Sequence, residues 1–97
     1  MNKTKLEKQD TTNLSVPTGA FSIGRADDND MPVLDKTVSA HHARIFTYLN
    51  SSYIEDLGST NGTYLNGRRI QKHTLQTGDK VRIGKLELEV NRIESSH

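Results

Sequence analysis

The sequence predicts an all-β domain. No stretch of about eleven or more residues carries apolar side chains at helical spacing. Short runs of alternating apolar and polar residues are instead separated by turn signals, at intervals of about eight to twelve residues. Many short strands joined by frequent turns are typical of a β-sandwich or a small β-barrel.

The first half of the chain shows this alternation on both sides of a polar loop. Residues 20–23 place Phe21 and Ile23 on one face of a strand. Residues 43–49 are rich in the β-branched and aromatic side chains that favour strands. Pro32 lacks a backbone N–H, which restricts its segment to the edge of a sheet. The strands predicted for this half are 14–16, 20–23, 31–34, 43–49 and 53–57.

Two Asn-Gly pairs, at 61–62 and 66–67, mark turns in the middle of the chain. Asn-Gly favours the type I′ turn because both central residues of that turn need a positive φ. The second pair lies between two β-prone triplets and predicts an ordinary hairpin. The first pair follows Ser59 and Thr60, so its loop carries two hydroxyls and a carboxamide. A turn does not need this density of polar groups, and we interpret the loop as a binding loop.

The last third of the chain predicts another hairpin. Residues 86–90 alternate between leucine or valine and glutamate, and a Gly-Lys pair separates them from the apolar positions of 81–83. Residues 75–79 form a turn in which Gly78 supplies an unusual backbone angle. The strands predicted for this part are 63–65, 68–70, 81–83 and 86–90.

A chain of 97 residues is large enough for one domain with a single modest core. We predict that this domain spans 13–93. Residues 1–12 are expected to be a polar N-terminal segment or a weak first strand, and 94–97 a C-terminal tail. The polar start does not resemble a secretory signal, and no run approaches the ~20 apolar residues of a membrane span. We therefore expect a cytoplasmic protein without a membrane partner.

Composition argues against several function classes. Thirteen Lys and Arg residues balance twelve Asp and Glu residues, and aromatic side chains are few, which argues against a nucleic-acid partner. The absence of cysteine excludes disulfides and thiolate chemistry. The adjacent His41 and His42 would face opposite ways on a strand, and no nucleophile–base pair accompanies them. We predict no catalytic residue, no metal site and no cofactor.

Four short motifs occupy the predicted loops. They are Gly24-Arg25, Ser39-x-x-His42, Asn61-Gly62 and Leu75-x-x-Gly78-Asp79. Each motif alone is weak evidence. Together, in this order and on an all-β background, they resemble the forkhead-associated (FHA) domain over about residues 14–93.

The resemblance implies an FHA-type β-sandwich of about eleven short strands in two sheets, with ligand-binding loops at one end. It also implies a monomeric module that binds phosphothreonine-containing proteins or peptides in signalling that depends on Ser/Thr kinases, as part of a larger protein. A phosphothreonine carries about −1.5 to −2 charges and three acceptor oxygens, so its receptor must supply convergent donors. The phosphopeptide-binding residues that the resemblance implies are Arg25, Ser39, Thr60 and Asn61.

Four further residues in or beside these motifs are expected to support the site. They are Gly24, His42, Ser59 and Gly62. By resemblance, the His42 imidazole hydrogen-bonds the binding loops into place. Ala40 departs from the family pattern, because members often carry a polar or basic residue at this position. The alternative function is an FHA-fold scaffold that binds an unphosphorylated partner or mediates self-association.

Overall fold

Alternating buried and exposed side chains build two five-stranded sheets that share one core. The structure is a computed structural model that describes residues 11–94. These residues form ten strands and no helix, where the sequence predicts about eleven strands, and the all-β sandwich is confirmed. The strands are β1 (Thr11–Val16), β2 (Gly19–Gly24), β3 (Met31–Pro32), β4 (Ala43–Tyr48), β5 (Ser51–Asp56), β6 (Thr63–Leu65), β7 (Arg68–Ile70), β8 (Lys72–Thr74), β9 (Lys80–Ile83) and β10 (Leu86–Ile93).

The first sheet has the strand order β1-β10-β9-β6-β7, and the second has the order β3-β2-β4-β5-β8. Pairing is parallel between β1 and β10 and between β2 and β3, and the other pairs are antiparallel. Strand β1 begins at Thr11, inside the segment 1–12 that was predicted to be a polar N-terminal segment or a weak first strand. The rest of that segment, 1–10, and the last three residues of the predicted tail, 95–97, lie outside the described residues.

Aliphatic side chains from the facing sides of both sheets fill the core. Ile45 of β4 lies opposite Ile54 of β5, and Val81 of β9 lies opposite Leu88 of β10; all four are fully buried. Each such side chain contributes roughly 1.5–3 kcal/mol by leaving water. The core therefore consists mainly of Leu, Ile and Val, as expected from a sequence that has no Trp.

The hairpin predicted at Asn66-Gly67 joins β6 to β7. Both turn residues have positive φ, 50° for Asn66 and 87° for Gly67, as a type I′ turn requires. The Asn66 side chain also accepts a hydrogen bond from the Lys80 backbone N–H (2.9 Å) and donates one to Asp79 (3.0 Å). The turn therefore joins two strands and also fixes the start of β9.

Four connections meet at one end of the sandwich, where hydrogen bonds link them. The connection β2–β3 is bonded to β3–β4 through Arg25 N–H and the Ser39 carbonyl (2.9 Å). The connection β5–β6 is bonded to β3–β4 through Thr60 N–H and Ser39 Oγ (3.1 Å). The β9–β10 turn reaches the same segment through Lys85 N–H and Asp35 (3.2 Å). This end of the fold carries the candidate site.

Candidate functional site

Two hydrogen bonds fix Arg25, one from its backbone N–H and one from the Nε atom of its guanidinium group. Its N–H donates to the Ser39 carbonyl (2.9 Å), and its Nε donates to the Val38 carbonyl (3.0 Å). The two Nη groups have no protein partner within the described residues. An exposed arginine held in this way can present both Nη groups to one anion.

Gly24 allows the Arg25 loop to lie directly against the loop that carries Ser39. A side chain at Gly24 would overlap the Ala40 carbonyl oxygen and approach within 2.8 Å of Asn29 Nδ2. Asn29 is buried, and its Nδ2 donates to the Ala26 (2.7 Å) and Ala40 (2.8 Å) carbonyls. Sequence reasoning missed Asn29, since it stands in an acidic run that looks like a solvated loop.

His42 is fully buried and joins two loops through both ring nitrogens. Its Nδ1 accepts a hydrogen bond from Ser39 N–H (3.1 Å), and its Nε2 lies 2.8 Å from the Gly62 carbonyl oxygen. A backbone N–H can only donate and a carbonyl can only accept, so the bonds assign a neutral ring with the proton on Nε2. The imidazole thereby positions the Ser39 loop relative to the Asn61-Gly62 loop.

Ser39, Thr60 and Asn61 form a second contact between the same loops. Ser39 Oγ accepts a hydrogen bond from Thr60 N–H (3.1 Å), which leaves the hydroxyl proton of Ser39 available as a donor. Asn61 Nδ2 donates to the Thr37 carbonyl (2.9 Å). The second amide proton and the Oδ1 atom of Asn61 are not used by this bond. All three side chains thus keep polar groups for a ligand.

Asp56 organises the loop between β5 and β6, and sequence reasoning missed it. Its Oδ1 accepts from the hydroxyls of Ser59 (2.6 Å) and Thr63 (2.7 Å), and its Oδ2 accepts from Gly58 N–H (3.1 Å) and Ser59 N–H (3.0 Å). Ser59 Oγ in turn accepts from Gly62 N–H (2.9 Å). An Asp placed two residues before a glycine is a signal for an Asx turn and could have identified this role.

These bonds also set the protonation behaviour of Asp56. Partial burial raises its pKa, but the hydrogen bonds from the Ser59 and Thr63 hydroxyls and from the Ser59 and Gly58 N–H groups outweigh burial. The pKa of Asp56 in the folded protein therefore lies below its ordinary value. The carboxylate is charged at neutral pH and holds the loop in shape.

Gly62 completes this loop in a conformation that favours glycine, with φ of 91°. A side chain there would also lie 2.6 Å from Arg69 Nε, because the Arg69 side chain packs over Gly62. Glycine is therefore favoured at position 62 by the positive φ and by the close approach of the Arg69 side chain.

One cavity of about 280 Å³ brings together the four residues predicted to bind ligand. Its lining residues are Arg25, Lys36, Thr37, Val38, Ser39, Ala40, Thr60 and Asn61. No acidic residue lines it, and Lys36 adds a second cation that sequence reasoning did not select. Gly24, His42, Ser59 and Gly62 lie behind this surface, where they connect its loops. The cavity can therefore receive an anion with several oxygens.

The described part of the chain offers few other kinds of site. Between residues 11 and 94, no group of three or more His, Asp or Glu side chains is placed to hold a metal ion. Over the same range, no helix is long and apolar enough to span a bilayer.

Comparison with known proteins assigns the family. The FHA domain model matches residues 21–84. The chain is 44% identical over 69 residues to the FHA domain-containing protein FhaB of Mycobacterium tuberculosis, covering 70% of this chain and 44% of FhaB. It is 41% identical over 73 residues to an ABC transporter ATP-binding/permease protein of the same organism, covering 75% of this chain and 8% of the transporter. The chain thus spans less than half the length of these two relatives.

A solved structure shows the same likeness in three dimensions. EmbR of Mycobacterium tuberculosis, in complex with a low-affinity phosphopeptide, superposes with a TM-score of 0.75 at 36% identity. The match covers 81% of this chain and 21% of the EmbR chain. The match to the family model, the sequence relatives and this common fold together show that the chain belongs to the FHA-domain family.

Proposed function

We propose that this domain recognises phosphothreonine in a partner protein. The observation that carries the proposal is that Arg25, Ser39, Thr60 and Asn61 line one cavity without an acidic residue. Membership of the FHA family and the phosphopeptide in the EmbR complex support the same ligand class. The domain then acts as an interaction module, and its effect depends on the protein kinase that modifies the partner.

The charges of the cavity match those of the ligand. A phosphothreonine side chain carries about −1.5 to −2 charges at neutral pH. Arg25 offers two free Nη groups and Lys36 offers an ammonium group at the same cavity. Charge-assisted hydrogen bonds of this kind are stronger than neutral ones, and the guanidinium fork suits two phosphate oxygens at once.

The neutral donors give the phosphate a fixed position. Ser39 can donate its hydroxyl proton to a phosphate oxygen while its Oγ continues to accept from Thr60 N–H. The Thr60 hydroxyl lines the same cavity and supplies a further donor. Bound in this way, the phosphate meets a charged wall on one side and hydroxyl groups on the other.

Asn61 is proposed to contact the main chain of the peptide beside the phosphothreonine. Its Oδ1 can accept from a peptide N–H, and the spare proton of Nδ2 can donate to a peptide carbonyl. Such contacts fix the register of the ligand. They distinguish a phosphopeptide from a free phosphate, which has no backbone to bind.

The proposal also covers the assembly and the setting of the domain. All residues of the site come from a single chain, so a monomer is sufficient to bind. No cofactor or metal is required, because the binding groups are side chains and backbone N–H groups. We propose that the domain works in the cytoplasm as one part of a larger protein.

A second candidate function is contact with an unphosphorylated partner through another surface. The outward side of the second sheet exposes Phe46 and Tyr53, which lie opposite each other on β4 and β5, and Tyr48 at the end of β4. Such a partner would bind equally well after phosphatase treatment. Binding through the Arg25 cavity would not survive that treatment.

A titration with three matched peptides tests the proposal. The peptides carry phosphothreonine, phosphoserine or threonine at one position and are otherwise identical. We expect the phosphothreonine form to bind most tightly, because a buried γ-methyl group is worth roughly 1 kcal/mol. Equal binding of all three forms, measured by fluorescence anisotropy, would rule out phosphate recognition.

A further inference from the structure

The cavity that Arg25, Ser39, Thr60 and Asn61 line is named the phosphate cavity. A second cavity of about 200 Å³ adjoins it and shares Thr37 and Asn61 with it. Its other lining residues are Tyr64, Arg82, Gly84 and Lys85. Neither cavity is lined by an acidic residue, and the two together contain four cations. None of the four residues that distinguish the second cavity belongs to the motifs by which the family was recognised.

The floor of the second cavity is a stacked pair. Arg82 of β9 lies opposite Tyr64 of β6 in the first sheet, and its guanidinium carbon is 4.2 Å from the centroid of the Tyr64 ring. Stacking on the ring fixes the plane of the guanidinium group and leaves its N–H edges open for an anion. Arg82 is therefore oriented before any ligand arrives.

Gly84 allows the turn that carries Lys85 to lie at the second cavity. Its φ is 62°, and a side chain there would lie 2.5 Å from Thr37 Oγ1 and 2.7 Å from Val38 Cγ2. The β9–β10 turn can therefore pack directly against the phosphate-cavity wall. The Lys85 N–H donates to Asp35 (3.2 Å), which ties the turn to that wall.

These cations are not neutralised by ion pairs. The residues that the structure describes form two ion pairs, His41–Asp28 and Arg44–Glu55, and both lie outside the two cavities. The pKa of Asp35 is lowered mainly by hydrogen bonds from the Thr37 hydroxyl (2.7 Å) and the Thr37 N–H (2.9 Å), and to a smaller extent by the charge of Lys85. Asp35 thus attracts Lys85 but does not form an ion pair with it.

Glu87 is the remaining acidic group to consider. It lies opposite Arg82 in the register of β10 and β9, and the two residues line another cavity together. Glu87 accepts a hydrogen bond from the Thr11 hydroxyl (3.5 Å) and forms no ion pair with Arg82. Arg82 and Lys85 are both exposed, and neither forms an ion pair within residues 11–94.

We propose that the second cavity binds a second acidic group of the ligand, a carboxylate or another phosphate, close in sequence to the phosphothreonine. This inference rests on the proposed function, since the phosphothreonine places the peptide across Asn61. Arg25 and Lys36 can balance one phosphate dianion. Arg82 and Lys85 then remain for a separate anion. The preferred ligand is a phosphothreonine in an acidic sequence.

The test is a scan of acidic groups through a phosphothreonine peptide. The reference peptide has alanine at all neighbouring positions. Aspartate, glutamate or phosphoserine is then placed at each position in turn, on both sides of the phosphothreonine, and affinity is measured by fluorescence anisotropy. We expect one or two adjacent positions to bind about three- to tenfold more tightly with an acidic group, as exposed or partly exposed charge pairs do. Comparing the carboxylates with phosphoserine identifies the source of the charge.

If the second cavity binds the acidic group, removing a cation of that cavity must reduce the increase in affinity that the acidic group gives. In Arg82→Gln and in Lys85→Gln, the ratio of acidic-peptide to reference-peptide affinity should fall toward one. Arg68→Gln and Lys72→Gln remove cations that line neither cavity, and Lys72 stacks on Tyr53 much as Arg82 does on Tyr64. These two variants should keep the same ratio of acidic-peptide to reference-peptide affinity as the parent.

The outcomes separate the two proposals. If the reference peptide binds and no acidic position improves affinity twofold, the second-cavity inference is wrong and phosphothreonine recognition stands. An acidic gain that survives in both Arg82→Gln and Lys85→Gln would also overturn it. If no phosphothreonine peptide binds at all, both proposals fail.

Discussion

The buried imidazole of His42 donates a hydrogen bond to the carbonyl oxygen of Gly62, 2.8 Å away and 20 residues later in the chain. The other ring nitrogen accepts from Ser39 N–H at 3.1 Å. One side chain therefore sets the spacing between the loop that carries Ser39 and the loop that carries Asn61. The stability of the fold and the geometry of the candidate site are coupled through this residue.

His42→Ala should lower the free energy of unfolding by about 2–4 kcal/mol, because it opens a cavity and leaves a buried carbonyl (Gly62) and a partly buried N–H (Ser39) without partners. Urea denaturation gives this value, and the midpoint should move without a change in slope. His73→Ala is the matched control, since His73 lies on the exposed strand β8. Equal stability of the two variants would show that the His42 bonds contribute nothing.

Arg25→Ala should weaken binding of a phosphothreonine peptide by about 2–5 kcal/mol through loss of a charge-assisted contact. The fold should remain, since Arg25 is exposed and the variant keeps the backbone bond to Ser39, while it loses the bond from Nε to the Val38 carbonyl. Calorimetric titration measures the affinity. Arg68→Ala removes an exposed arginine outside the cavity and should bind as the parent does. Unchanged affinity in Arg25→Ala would mean that the phosphate binds elsewhere.

Gly24→Ala should destabilise the fold by about 1–3 kcal/mol, because the new methyl group meets the Ala40 carbonyl oxygen and Asn29 Nδ2. Gly58→Ala provides the comparison, since its φ is 76° and no atom lies within 4 Å of the added carbon. That variant carries only backbone strain, about 1 kcal/mol. We expect Gly24→Ala to have the lower melting temperature, and the reverse order would contradict the close contact of the two loops.

Asp56 makes stability depend on pH. Its pKa is lower in the folded chain than in the unfolded chain, so the ionised form stabilises the fold above the unfolded value of about 3.8. This contribution is lost as the pH falls through the lower, folded value. The stability difference between the parent and Asp56→Asn should therefore be constant above about pH 5 and shrink below about pH 4.

Thermal denaturation of the parent and of Asp56→Asn from pH 3 to pH 7 measures the difference in stability between them. Asp27→Asn serves as control, because Asp27 is exposed and has no bond partner in the described structure. A difference that stays constant down to pH 3 would refute the role of the Asp56 hydrogen bonds.

Local sequence signals predicted much of the fold and of the candidate site. The Asn66-Gly67 hairpin is confirmed because turn chemistry fixes the φ of both residues within the dipeptide itself. The four residues predicted to bind ligand were chosen by the family resemblance, and the structure brings them to one cavity. Each of these features can be read from a few adjacent positions.

Other features depend on register and could not be predicted. Tyr64 and Arg82 stack because β6 and β9 pair in the first sheet, a relationship that no local pattern specifies. Lys36 looks like any other loop lysine until the fold places it beside Arg25. Asn29 is buried only because two loops close over it.

The bond from Thr60 N–H to Ser39 Oγ joins two loops of the Arg25 cavity through the protein's own groups. A ligand in that cavity therefore need not supply the contact that holds these loops together. The entropy lost on association then falls mainly on the incoming peptide and little on the receptor. Peptides that are already extended should associate faster than flexible ones, and the affinity gained from stiffening a ligand should be larger than that from stiffening the domain.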